Sequence, residues 1–91
     1  MTANTNTDDY EYAYRVVVGT YNTKEAAEEI ADKASLYGLS TWEFLDKNGR
    51  YNVQCGLYKN EYTAMDIAGK LRANGFVDAR IEVIKLKGGD K

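Results

Sequence analysis

Tyr51-Asn52-Val53-Gln54-Cys55-Gly56-Leu57-Tyr58 repeats the pattern of Tyr14-Arg15-Val16-Val17-Val18-Gly19-Thr20-Tyr21, which stands 37 positions earlier. Continued without a gap, the same shift pairs Ala27, Ile30, Ala31, Lys33 and Gly38 with Ala64, Ile67, Ala68, Lys70 and Gly75. Identities that fall on strand, turn and helix positions alike mark an internal duplication. The chain therefore reads as a single domain over 10–86, with half-repeats 14–46 and 51–86.

Each half opens with an alternating run rich in aromatic and β-branched residues, 14–18 and 51–55, which predicts a strand stopped by Gly19 or Gly56. A helix follows in each, with apolar residues at Ala27, Ile30, Ala31 and Ala34 in the first half and Ala64, Ile67, Ala68 and Leu71 in the second. That i, i+3, i+4, i+7 stripe covers one helical face. Thr23 and Asn60 occupy equivalent N-cap positions, and Asn22 with Glu25 offers a competing capping box. Gly38 and Gly75 stand where a left-handed residue ends a helix. With further strands over 40–45 and 79–84, the order is β-α-β-β-α-β. This is an α+β fold of the ferredoxin/RNP-like type, with a four-stranded antiparallel sheet and two helices on one face.

Asn48-Gly49 between alternating runs predicts a two-residue type I′ hairpin. Its register sets Leu45 opposite Asn52, Phe44 opposite Val53, Glu43 opposite Gln54 and Trp42 opposite Cys55. The duplication maps Trp42 and Phe44 onto Ala79 and Ile81, so both routes turn these two aromatics toward the helices. The expected core face carries Tyr14, Val16, Val18, Val53, Cys55, Trp42, Phe44, Ala79, Ile81 and Val83. Arg15, Val17, Glu43, Leu45, Asn52, Gln54, Arg80 and Glu82 are expected on the open face.

Composition removes several function classes. The 91 residues carry no histidine and one cysteine, so the common general base, the common zinc ligand and any internal disulfide are lacking. No metal and no cofactor is expected. Twelve basic against fourteen acidic side chains give a net charge of -2, which argues against nucleic-acid binding. No apolar run is long enough to span a membrane and residues 1–9 lack the features of an export signal, so neither a membrane segment nor a signal peptide is expected. Residues 1–9 read as a disordered, linker-like start and 87–91 as a short charged tail.

Candidate chemistry is sparse, and an enzyme is not expected. Cys55 has no histidine to activate it and its strand phase points it into the core. Glu28, Glu29 and Asp32 lie among lysines on a solvated helix face. Glu43 and Glu82 are the one carboxylate pair that could converge on the open face, although the duplication sets them at nearly equivalent sites. Tyr10, Tyr12 and Tyr14 either pack at the core edge or stack on a sugar ring or partner. Gly19 and Gly56 lack the further glycines and the lysine of a phosphate loop. The expected open face offers no aromatic on which an RNA base could stack.

The two halves resemble the sporulation-related repeat, or SPOR, domain, whose units open with aromatic-x-Val-Gln-apolar-Gly-small-aromatic. Residues 51–58 match closely, and residues 14–21 match with Val17 in place of the glutamine. The resemblance extends over about 14–84. It implies a non-catalytic module that binds peptidoglycan, in particular glycan strands stripped of their peptides, of the kind attached to cell-wall amidases, phage lysins and division proteins. Localisation at the bacterial wall, the periplasm or outside the cell follows from it, with a linked catalytic domain as partner. Carried over by position, Gln54 corresponds to the strand glutamine, Thr20 to the small residue after the glycine, and Arg15 and Asn52 to polar neighbours. Val17, Glu43 and Arg80 complete the expected glycan site. Amides and a guanidinium suit sugar hydroxyls and N-acetyl carbonyls. The alternative is a protein-interaction or assembly module in which Val17, Leu45 and Leu57 form a docking patch for another protein or a second copy of the chain.

Overall fold

The computed structural model describes residues 10–87; the expectations for 1–9 and 88–91 lie outside the described residues. The elements are β1 (Tyr10–Tyr21), α1 (Lys24–Ser35), β2 (Trp42–Leu45), β3 (Tyr51–Tyr58), α2 (Glu61–Ala73) and β4 (Arg80–Lys87). They form one antiparallel sheet in the order β2-β3-β1-β4. Both helices pack on the same side of it. The core there is built from Val16, Val18, Val53 and Cys55 of the central strands with Ala27, Ala34, Ala64, Ala68 and Leu71 of the helices. Alanine along both helical stripes lets the helices sit close to the sheet, and the β-branched valines fill the space between.

The helix limits follow from their caps. Thr23 accepts a hydrogen bond from the Ala26 amide at 3.2 Å, and Asn60 accepts from Tyr62 and Thr63 at 2.8 and 3.3 Å. Each helix ends in the same pair of bonds. Gly38 and Leu39 donate to Ser35 and Ala34, while Gly75 and Phe76 donate to Arg72 and Leu71. Gly38 and Gly75 take φ of 82° and 98°, the left-handed conformation that this ending requires.

Gly19 and Gly56 do not stop their strands as expected; β1 and β3 run through them. Val18 and Tyr21 both pack in the core, as do Cys55 and Tyr58, so the alternation of faces slips by one residue around each glycine. In β1 the slip coincides with irregular pairing between Val16 and Gly19. A glycine inside a strand commonly marks such a bulge. A Cβ at either glycine would collide with the ring of the tyrosine two residues on, so Tyr21 and Tyr58 lie back over the bare backbone.

The hairpin register also differs from expectation. The pairs are Trp42 with Gln54, Glu43 with Val53, Phe44 with Asn52 and Leu45 with Tyr51, one residue from the expected alignment. The turn is three residues, not two: the Gly49 amide donates to the Asp46 carbonyl and the Asp46 amide to the Arg50 carbonyl, each at 3.0 Å, with Gly49 at φ 78°. This is a type I turn followed by a left-handed glycine. The Asp46 carboxylate selects it by accepting from the Asn48 and Arg50 amides at 2.9 and 3.0 Å. A slip of one residue exchanges the faces. Trp42 and Phe44 therefore belong to the open face, and Glu43 and Leu45 to the helix side. Lys24 of α1 lies 4.0 Å from the Glu43 carboxylate, as this placement requires.

The duplication misled for a related reason. After Gly75 the second half makes an extra turn, with Ala79 donating to the Phe76 carbonyl at 3.0 Å and Arg72 donating to the Ala79 carbonyl at 2.9 Å. By face, Glu43 and Leu45 thus match Ile81 and Val83, a shift of 38 rather than 37.

Candidate open-face site

Side chains of all four strands meet on the uncovered face. β1 supplies Arg15, Val17 and Thr20; β3 supplies Asn52, Gln54 and Leu57; β2 supplies Trp42 and Phe44; β4 supplies Arg80 and Glu82. Thr20 reaches this face only because of the bulge at Gly19, and the three-residue turn presents the two aromatics.

Arg80 is the hub. Its Nη2 donates to Thr20 Oγ1 at 2.9 Å, to Asn52 Oδ1 at 3.2 Å and to Glu82 Oε2 at 2.8 Å, and its Nε donates to the same Glu82 oxygen at 3.2 Å. Thr20 donates to Asn52 Oδ1 at 2.6 Å. The Asn52 amide nitrogen donates to Asp46 Oδ2 at 3.2 Å and to the Arg50 carbonyl at 3.3 Å. The Arg50 amide, the Asn52 side chain and the Asn48 amide together hold the Asp46 carboxyl below the usual range. One chain of polar contacts thus links the far edge of the sheet to the hairpin turn.

Arg15 takes a different position. Its guanidinium stacks over the Phe44 ring, 4.4 Å from the centroid, and its Nη1 lies 3.4 Å from Glu82 Oε1. β3 separates the strands of Arg15 and Phe44, so the side chain reaches across the face above Gln54. Val17 is fully buried although no helix covers it, because these long polar side chains form its lid. Asn52 and Gln54 are buried too, at 2% and 5% exposure. Gln54 turns its amide nitrogen to the Gly56 carbonyl at 3.4 Å. Trp42 is half exposed.

Of the expected glycan-site residues, Arg15, Val17, Thr20, Asn52, Gln54 and Arg80 share this face. Glu43 is on the other side, which also separates it from Glu82 and dissolves the carboxylate pair. The Val17, Leu45 and Leu57 docking patch does not assemble, because Val17 is buried and Leu45 faces the helix side. Trp42 and Phe44 were missed. Their signal was Asp46 three residues before Gly49, the mark of a type I turn. Cys55 lies in the core as expected, where burial pushes its thiol up. An apolar cleft of about 230 Å³ between the helix ends, lined by Tyr37, Leu39, Ile67, Leu71 and Phe76, lies away from the open face.

Fold and site together define an open-faced α+β sandwich with an aromatic, guanidinium and amide face. The chain is similar to the peptidoglycan binding domain of the B. subtilis cell wall lytic enzyme CwlC, known from its solution structure. The two are 27% identical over 81% of this chain and 91% of that domain, with a TM-score of 0.71. No family profile and no curated protein sequence matches the chain.

Proposed function

We propose that this chain is a non-catalytic wall-binding module of the SPOR type that holds peptidoglycan glycan strands on its open face. The observation that carries the reading is the half-exposed Trp42 ring beside the network of Arg15 on Phe44, Arg80 and Glu82. Flat aromatic surfaces take the apolar faces of sugar rings, while fixed planar polar groups take hydroxyls and N-acetyl groups. The similarity to a peptidoglycan binding domain supports the same ligand class. In this proposal Gln54, Asn52, Thr20 and Val17 act from below, as a buried floor that fixes Arg15 and Arg80. A linked wall hydrolase, lysin or division protein would be the cargo that the module brings to the wall.

Co-sedimentation with purified sacculi tests the proposal. Wild-type protein is expected in the pellet, and Trp42→Ala should bind at least about tenfold more weakly, a loss of about 1.4 kcal/mol. Leu45→Ala, on the other face, should bind as the wild type does. A wild-type chain that stays in the supernatant, or Trp42→Ala retained equally, would overturn it.

A further inference from the structure

The charges of the open face do not cancel. Arg15, Arg80 and Arg50 meet two carboxylates, Glu82 and Asp46. Asp46 lies 3.8 Å from Arg50 and accepts from Asn52, and Glu82 turns its Oε2 to two nitrogens of Arg80. What remains for Arg15 is the other Glu82 oxygen at 3.4 Å, near the limit of a hydrogen bond. Its Nε is buried without a partner, and its Nη2 makes no hydrogen bond among the described residues. A chain of net charge -2 thus presents an incompletely matched guanidinium at the centre of its uncovered face.

That guanidinium is also held in place. Stacking on Phe44 fixes its plane and the Glu82 contact fixes its rotation, while the side chain as a whole stays 27% exposed. An immobilised guanidinium edge matches a carboxylate, which it can grip with two parallel hydrogen bonds. With Glu11 and Lys59 paired to each other, the face has a single excess positive charge among the described residues, which suits one monoanionic group and does not suit a phosphate polymer with a charge on every unit.

Resting on the wall-glycan reading above, we infer that Arg15 is a specificity-determining residue that binds a carboxylate carried by one of the sugars. The preferred ligand is therefore an acidic glycan rather than a neutral one. Trp42 holds the sugar ring, and Arg15, seated on Phe44, selects for the acid.

Titration of the chain with soluble peptidoglycan glycan strands stripped of their peptides, either native, with the sugar carboxylates free, or with those carboxylates converted to neutral amides, tests this. Native strands are expected to bind at least tenfold more tightly than amidated ones, with the advantage shrinking as salt rises. Arg15→Gln should bind both equally, at the level of the amidated strands, and Arg15→Lys should recover part of the preference. If the wild type binds both strands equally, the carboxylate inference is overturned and the glycan reading stands. If it binds neither, both are overturned. Tighter binding to a wall phosphate polymer than to native strands would also overturn the inference. Should Arg15→Gln fail to fold, the comparison of the two ligands on the wild type decides alone.

Discussion

β2 and β4 close the two halves of the duplication and lie at opposite edges of the same sheet. β2 has four residues and turns Trp42 and Phe44 to the open face; β4 has eight and turns Arg80 and Glu82 there. Up to the glycines that end the helices the halves are in step. One extra residue in the turn before β4 then changes which residues correspond. Trp42 stands where Arg80 stands, and Phe44 where Glu82 stands. Two halves of matching architecture thus carry an aromatic edge and a charged edge, and Arg15 is the side chain that touches both.

The sharpest way to break the likeness of the halves is in the core, where Leu71 of α2 occupies the position that Ala34 holds in α1. Leu71→Ala would make the two stripes alike and is expected to cost about 2–5 kcal/mol in urea denaturation. A loss below about 1 kcal/mol would show that the second half does not rely on that side chain.

Arg80→Met addresses the charged edge. It removes the partner of Thr20, Asn52 and Glu82 and is expected to cost about 1–3 kcal/mol, toward the lower end because the side chain is 39% exposed. Trp42→Met at the aromatic edge should stay within about 0.5 kcal/mol. Equal losses at the two edges would contradict a division in which β4 braces the face and β2 serves the ligand.

The helix caps compare the halves at finer scale. Thr23→Ala and Asn60→Ala should each lower stability by about 0.5–2 kcal/mol, measured by thermal melts. Asn60 should cost more, since it accepts from two amides and Thr23 from one.

The smallest effect is expected at the β2–β3 turn. The Asp46 carboxyl is depressed in the folded protein, so its contribution is complete above its ordinary, unfolded value and is lost as pH falls through the lower folded value. Melting temperature followed from pH 6 downward should show this decline in the wild type and a shallower one in Asp46→Asn. Identical profiles would remove Asp46 from the account of the register.

Most of the fold was legible because its signals are local. The alanine stripes, the Thr23 and Asn60 caps and the left-handed Gly38 and Gly75 are each specified within a few residues. The site was legible only in part, because it depends on which way a strand faces. Asn48-Gly49 favours a two-residue turn by itself, and only the Asp46 carboxylate, bonded to two amides, tips it to three. The duplication pointed to the same wrong face through the extra turn at Phe76–Ala79, so two errors of one residue agreed. Gly19 and Gly56 read as stops because the rings that cover them are supplied by Tyr21 and Tyr58, beyond the apparent strand ends. Gln54 and Asn52 read as exposed because nothing along the chain reveals that Arg15 and Arg80 lie over them.

β2 pairs along one side only, over four residues, and its main tie to the helices among the described residues is the long Lys24 to Glu43 contact. Edge segments with so few ties are the first to open in local fluctuations, so the amides of 42–45 should exchange with solvent well ahead of those in β1. The two rings of the open face are therefore mounted on the least anchored strand, while the cations opposite them ride on the firmly paired centre and far edge. A ligand spanning both would close that opening, and its affinity would include the work of stilling one short strand.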